Sequence, residues 1–220
     1  MNIGVLGTGV VGETIATALT KKGHNVRLGS RTAGNEKAAA WVKGANNQAT
    51  QGTFDDAAAF GEIIFFCLNG AHALDAANTI NFDSIEGKIV IDLTNPLDFS
   101  KGMPPRLLEG YGPEISLGEQ LQEMLPGAAV VKTLNTINCN LMVDPRQINK
   151  GDHTMFICGN SSDAKNKVMH FLVDTFGWRP ESFLDLGGLE KARLTEAYVP
   201  FWVTLMQTLN TPAFSIKVVK

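Results

Sequence analysis

The amino-acid sequence predicts an α/β fold in which helices cover both faces of a doubly wound, mostly parallel sheet. Three observations predict it. Strand-like and helix-like segments alternate through residues 2–134, as they do in parallel sheets. Residues 63–68 are an unbroken apolar run, which is typical of a strand buried on both faces. A glycine-rich turn after residue 6 joins the first strand to the first helix.

The first part of the chain supplies six strands and the helices between them. The strands are expected over residues 2–6, 24–29, 49–54, 62–68, 88–93 and 128–134. The helices are expected over residues 13–22, 36–43, 55–60, 72–79 and 116–125. Gly23 ends the first helix, Asn35 caps the second, and Ser116 has capping-box spacing with Glu119. Residues 98–113 contain several prolines and glycines and are expected to form a loop.

The second part adds strands over residues 152–159 and 180–186 and a helix from Ser161 or Ser162 to residue 176. A long helix follows over residues 189–209, with Pro200 expected to kink it. Its aromatic residues Tyr198, Phe201 and Trp202 favour core or a subunit interface over a cofactor cage. We expect residues 1–138 to form a nucleotide-binding core. Residues 139–220 are expected to form an α/β extension that completes the sheet and the acceptor cleft in one compact unit.

The turn after the first strand has the G-x-G-x-x-G spacing of a Rossmann-type dinucleotide-binding fold. Its first glycine permits a tight turn, its second lets the backbone approach a pyrophosphate, and its third allows close helix packing. The helix that follows offers free N–H groups to phosphate. We therefore expect the pyrophosphate to bind at Gly7, Thr8, Gly9, Val10, Val11 and Gly12.

The end of the second strand indicates which dinucleotide binds. NAD-specific folds usually place an acid here, but no acid occurs between Glu13 and Glu36. The chain instead offers Ser30, Arg31 and Thr32, and a guanidinium suits a 2′-phosphate. Lys37 adds a positive charge from the next helix. The pattern predicts selection of NADP(H) over NAD(H); the alternative is that these residues form only a solvated turn.

Amide side chains follow three of the buried strands, where ligands bind in open α/β sheets. The expected cofactor-binding residues at these strand ends, with one histidine from the next helix, are Leu68, Asn69, Gly70, His72, Asn95, Pro96, Asn135 and Thr136. The three asparagines are expected to line the nicotinamide ribose and ring. The alternative for each asparagine is a turn cap, and for His72 a place on the helix surface.

Composition argues against several other classes of protein. The net charge of −3 without a basic run argues against a nucleic-acid partner, and no apolar run is long enough to span a bilayer. Three cysteines without C-x-x-C spacing favour a reduced, cytoplasmic protein, with Cys67 and Cys158 in the core. We find no metal-ligand spacing, no signal peptide and no obvious acid–base pair, and we assign no catalytic residue. Hydride transfer between stacked rings depends on alignment more than on proton transfer.

With these residues placed, the chain resembles the coenzyme F420-dependent NADP oxidoreductase family over nearly its full length. It is also similar to the cytosolic domain of the six-transmembrane epithelial antigen metalloreductases. The resemblance rests on the glycine turn, residues 29–31, 70–75, 92–96 and 131–137, and the C-terminal residues 209–212. It implies NADPH held by the glycine turn, Ser30 and Arg31, and an electron-accepting ring between the strand ends and the C-terminal segment. It also implies a homodimer. The archaeal enzymes tend to have His where this chain has Asn135.

We therefore expect an NADPH-dependent oxidoreductase that passes hydride between NADP(H) and a small-molecule acceptor, either coenzyme F420 or a flavin (FMN or FAD). One alternative is a dehydrogenase or imine reductase acting on a small carbonyl compound, with Lys132 or Asp98 as the general acid. A second alternative is an NADPH-binding sensor without turnover.

Overall fold

The computed structural model describes residues 1–219 and contains a sheet of eight strands with the order β10-β9-β8-β5-β4-β1-β2-β3. The strand bounds, including those of a separate hairpin formed by β6 and β7, are β1 Asn2–Leu6, β2 Asn25–Ser30, β3 Ala49–Thr53, β4 Ile63–Phe66, β5 Ile89–Asp92, β6 Leu97–Asp98, β7 Arg106–Leu107, β8 Ala129–Thr133, β9 Met155–Gly159 and β10 Phe183–Asp185. All neighbours in the large sheet are parallel except β8 and β9. The predicted doubly wound, mostly parallel sheet is confirmed.

Helices cover both faces of this sheet. Their bounds are α1 Val10–Lys21, α2 Glu36–Gly44, α3 Phe54–Phe60, α4 Ala73–Ala77, α5 Phe82–Ile85, α6 Leu117–Met124, α7 Cys139–Val143, α8 Ser162–Phe176 and α9 Ala192–Leu209. Alternate residues of one strand enter opposite apolar layers: Phe65 packs in one layer, and Ile64 and Phe66 pack in the other. Within residues 1–219, no helix has the length and apolar character needed to cross a bilayer.

Several helices have bounds that differ from those expected from the sequence, and two of them begin earlier in the chain. α1 begins at Val10 rather than Glu13, since the Glu13 amide already donates to the Gly9 carbonyl at 2.9 Å. α3 begins at Phe54, because Thr53 and Asp56 form a reciprocal capping box. The helix expected over residues 72–79 is a 3₁₀ turn at Gly70–His72 followed by the short α4.

Three features were not expected. The short α5 and α7 are capped by Asn81 and Asn138, whose side chains accept from backbone amides. Part of the loop expected over residues 98–113 instead belongs to the β6–β7 hairpin, which begins at Leu97. A 3₁₀ turn at Leu189–Lys191 takes the first residues of the expected long helix, so α9 runs from Ala192 to Leu209 with Pro200 inside it, and the kink expected at Pro200 stays a prediction. β9 extends the large sheet directly from β8, and division of the chain at residue 138 stays a prediction.

Cys67 and Cys158 are buried free thiols, as predicted, and one lies in each apolar layer. Burial raises the pKa of Cys158 to about 12 and that of Cys67 further still. Both thiols are therefore protonated at neutral pH and serve as small apolar core residues.

Candidate functional site

The glycine turn has the geometry that its sequence spacing predicts. Gly7 has a φ of +122°, and its amide donates to the Gly29 carbonyl at 3.0 Å, which ties the turn to β2. A Cβ on Gly12 would lie 1.9 Å from the Gly7 carbonyl oxygen, so only glycine allows α1 to approach this closely. A Cβ on Gly9 would meet nothing within 4 Å. The turn is therefore closed on the protein side and open toward solvent.

An open cleft of about 570 Å³ lies beyond the carboxyl ends of β1, β2 and β4. It brings together ten of the predicted cofactor residues, which are Gly7, Thr8, Gly9, Ser30, Arg31, Thr32, Lys37, Leu68, Asn69 and His72. Asn35, Phe54 and Cys67 also line it and were not predicted. Val10 borders an adjacent groove on α1, and Val11 and Gly12 lie on the same helix behind the turn.

The rim of this cleft carries positive charge. Arg31 and Lys37 are both exposed, and within residues 1–219 no carboxylate oxygen lies within 4.0 Å of either. Asn35 caps α2 by accepting from the amides of Lys37 and Ala38, and so places Lys37 in the first turn of the helix. The Ser30 hydroxyl is buried and donates to the Thr32 carbonyl at 2.7 Å. Ser30 therefore braces the turn that presents Arg31.

Asn95 and Asn135 form a reciprocal pair at the ends of β5 and β8. The Asn95 Nδ2 donates to the Asn135 backbone carbonyl at 3.0 Å, and the Asn135 Nδ2 donates to the Asn95 Oδ1 at 2.9 Å. Asn135 is 5% exposed, and the neighbouring Pro96 and Thr136 are also buried. Leu134, directly before Asn135, has a φ of +63°, a conformation that costs a leucine about 1–3 kcal/mol and is often found at functional sites.

The three strand-end asparagines do not form one surface. Asn69 lies in the cleft with Ser30 and Arg31, and its Oδ1 accepts from the Ala71 amide at 2.9 Å. It is thus a cap of the 3₁₀ turn and a lining residue at once. Gly70 links the two regions, because a Cβ there would lie 2.1 Å from the Asn95 carbonyl oxygen. Asn95 and Asn135 are absent from the lining of the cleft and meet further along the strand ends.

A buried charged network lies beside this pair; of its members, only Lys132 was considered from the sequence, as a general acid. The Lys132 ammonium contacts the Asp92 carboxylate at 2.8 Å and the Glu196 carboxylate at 2.7 Å. Burial opposes the charge on Lys132, but the two carboxylates more than offset this and raise the pKa of Lys132 above its ordinary value. Asp92 and Lys132 stand out in the sequence as charges within apolar strands, whereas Glu196 lies 64 residues beyond Lys132 and gives no local signal.

The two side chains considered as general acids are poorly placed for that role. Lys132 is fully buried and its ammonium is occupied by protein groups. The Asp98 carboxylate accepts from the Ser100 amide at 2.8 Å, and this hydrogen bond lowers the pKa of Asp98. At neutral pH Asp98 is therefore ionised and cannot donate a proton. The described residues, 1–219, contain no cluster of three or more His, Cys, Asp or Glu side chains that could hold a metal ion.

Comparisons with known proteins agree with this geometry. The family model described as NADP oxidoreductase, coenzyme F420-dependent, matches residues 2–96. The chain is 30% identical over 216 residues to the F420-dependent NADP reductase of Methanocaldococcus jannaschii, covering 93% of this chain and 92% of that protein. A crystal structure of a candidate F420-dependent NADP reductase from Arthrobacter sp. FB24 has a TM-score of 0.90 and 38% identity, with both chains fully covered.

The chain is also similar to one segment of a larger protein. It is 31% identical over 206 residues to the metalloreductase STEAP3 of Rattus norvegicus. That match covers 91% of this chain but only 37% of the metalloreductase, so the chain spans little more than a third of that relative's length.

Proposed function

The chain belongs to the family of coenzyme F420-dependent NADP oxidoreductases and is an NADP-dependent oxidoreductase, and we propose that it transfers hydride between NADP(H) and coenzyme F420. The observation that carries the choice of acceptor is the match to an F420-dependent NADP reductase along almost the whole of both chains. In this reaction NADPH gives up a hydride and becomes NADP⁺, while the deazaflavin takes the hydride and one proton from water.

The strand ends form two regions, the cleft beyond β1, β2 and β4 and the amide pair at β5 and β8. We propose that each region binds one half of the cofactor. The turn from Gly7 to Gly12 and the first amides of α1 would hold the pyrophosphate. Arg31, Thr32 and Lys37 would hold the 2′-phosphate, with Ser30 bracing the turn beneath them. Leu68, Asn69, Gly70 and His72 would border the adenosine half, because they share the cleft or its edge with Arg31.

The nicotinamide half would then reach the ends of β5 and β8. Asn95, Pro96, Asn135 and Thr136 would border it there. The reciprocal hydrogen bonds between Asn95 and Asn135 leave little freedom for either side chain, so the ring would meet a preorganised polar edge. Such an edge can orient a ring without donating or removing a proton. This arrangement favours hydride transfer to a second ring over reduction of a carbonyl compound, which needs a general acid.

NADPH oxidation tests the proposal when followed with coenzyme F420, FMN, FAD and no acceptor in parallel. Rapid oxidation with F420 alone is the expected result. Oxidation with FMN or FAD and not with F420 would replace the deazaflavin by a free flavin. If the protein binds NADPH but oxidises it with none of these acceptors, the proposal is refuted. Small carbonyl compounds and imines would then be assayed.

We also propose that the protein is a homodimer formed through α9. Leu194, Phe201 and Leu209 are 65%, 57% and 52% exposed, and with Leu205 they fall along one face of the helix. The opposite face packs against the body of the protein through Val199 and Val203. Light scattering on the parent and on Phe201→Glu tests the interface. A dimer that becomes a folded monomer is expected, and a parent that is already monomeric would refute the interface.

The proposed compartment is the cytoplasm. Its support is the set of three free cysteines, none of which forms a disulfide. Thiol labelling of the protein taken directly from cells would detect three reduced cysteines under this proposal.

A further inference from the structure

The network of Asp92, Lys132 and Glu196 joins four separate elements in the interior. The side chains are 0%, 0% and 2% exposed, respectively. Besides the two carboxylates, the Lys132 ammonium donates to the Thr94 carbonyl at 2.6 Å. All three of its N–H groups are therefore used, and they connect β8 to β5, to the chain after β5, and to α9.

The second carboxylate of the network is stabilised by the start of α6. The two oxygens of Glu196 accept from the amides of Leu117 and Gly118 at 2.9 and 3.1 Å. These amides are at the positive end of the helix dipole, so they compensate the charge that Lys132 cannot balance alone. Glu196 thus ties α9 to α6 as well as to β8.

Stability alone does not explain a buried network of three charges. Well-packed apolar residues of similar volume are usually as stabilising as a buried ion pair, because both charges must be stripped of water. In some proteins a buried charged network is kept because its directional hydrogen bonds select one geometry. A network of this kind is expected to hold a particular group in place.

The network converges on Thr94. The Asp92 Oδ1 accepts from both the Thr94 amide and the Thr94 hydroxyl, at 2.8 and 2.7 Å, while Lys132 binds the Thr94 carbonyl. Every polar group of this residue is therefore fixed by the network. The next residue is Asn95, the partner of Asn135. One peptide bond therefore joins Thr94, which the network holds, to Asn95 of the amide pair.

We propose that Asp92, Lys132 and Glu196 are positioning residues that fix Thr94, and through it the Asn95–Asn135 pair, for the nicotinamide half of the cofactor. The inference rests on the proposed function for its kinetic readout. It makes the position of the nicotinamide depend on α9, to which Glu196 belongs, and leaves the adenosine half independent of the network.

The test compares two ligands: NADPH and 2′,5′-ADP, which carries the adenosine and 2′-phosphate but no nicotinamide. Two variants break the link differently. Thr94→Val removes the hydroxyl donor and keeps all three charges, whereas Asp92→Asn/Lys132→Met/Glu196→Gln removes the charges together, so no carboxylate is left unpaired. For both we expect the dissociation constant of 2′,5′-ADP to change less than twofold. The preference for NADPH over 2′,5′-ADP should fall at least fivefold, and kcat with F420 at least tenfold, with a smaller change in the KM for NADPH.

Two control variants separate positioning from general loosening. Lys165→Met removes another buried lysine with two hydrogen-bond partners, since the Lys165 ammonium pairs with the exposed Asp185 at 2.7 Å and donates to the Gly187 carbonyl. It should lower Tm and leave the ligand preference unchanged. Thr94→Ser restores the hydroxyl and should restore the parental preference.

The inference is overturned if Thr94→Val keeps the parental preference for NADPH, or if Lys165→Met loses it to the same extent. It is also overturned if Thr94→Ser behaves like Thr94→Val. The ratio of the two dissociation constants requires no acceptor. A parent that binds NADPH but leaves F420 unreduced would therefore refute the proposed function while the ratio still decides the inference.

Discussion

Replacing Arg31 by alanine tests the source of NADP(H) selection. Arg31 is exposed on the rim of the cleft and makes no ion pair within residues 1–219, so its removal leaves no buried group unsatisfied. The change in binding therefore reports the contact with the cofactor directly. A charge-assisted hydrogen bond contributes about 1.5–3 kcal/mol. Loss of this contact should weaken NADPH binding by roughly 10- to 150-fold.

The size of the effect has an internal check, because NADH lacks the 2′-phosphate. Titration calorimetry of both cofactors against the parent and Arg31→Ala gives four dissociation constants, and their double ratio isolates the contact between Arg31 and the phosphate. NADH binding should be nearly unchanged. The NADPH effect should also shrink at high salt, since the rim is exposed and its charges are screened. Equal weakening of NADPH and NADH, or no weakening of either, would show that the 2′-phosphate is recognised elsewhere.

Three further predictions follow from the structure. In Gly12→Ala the new methyl group would meet the Gly7 carbonyl at 1.9 Å, so we expect a lower Tm and weaker NADPH binding, measured by thermal denaturation with and without NADPH. Asn135→Ala removes the hydrogen-bond donor to the Asn95 Oδ1, and stopped-flow kinetics should show that the hydride-transfer rate with F420 falls by about one order of magnitude. Arg193 holds the pKa of Glu119 at about 2, below its ordinary value of 4.5. The stabilisation from this pair is present above pH 4.5 and is lost as the pH falls toward 2, so urea denaturation should show that Arg193→Ala destabilises the protein less at pH 2 than at pH 7.

The parts of the fold that could be predicted are those with local causes. The strand over residues 63–66 is apolar throughout because both of its faces are covered, and the glycine turn is dictated by the close approach of α1 to Gly7. The short α5 and α7 were missed although Asn81 and Asn138 cap them. A helix of four or five residues has too few positions to show a helical period, so only the capping residue signals it.

The parts that could not be predicted have causes far apart in the chain. Asp92 and Lys132 lie 40 residues apart and meet only because β5 and β8 are neighbours in the sheet. The sequence shows two charges in apolar strands. Their partner Glu196 can be identified only from the structure, in which α9 packs beside α6. The antiparallel direction of β9 could not be predicted either, because residues 155–159 do not determine the direction of the neighbouring strand β8.

The difference between local and long-range causes also explains why the sequence predicts the cofactor better than the acceptor. The residues proposed to hold the pyrophosphate and the 2′-phosphate lie between Gly7 and Lys37, within about thirty residues of one another, so their glycines and charges form a local sequence pattern. The region proposed for the nicotinamide is held together by hydrogen bonds that join residues 92–95, 132–135 and 196. Under the proposed function a hydride acceptor would stack against that second region, and its fit would depend on contacts between residues far apart in the chain. Substitutions in the local motifs should change which dinucleotide binds, whereas substitutions in the long-range network should change how well the bound dinucleotide reacts.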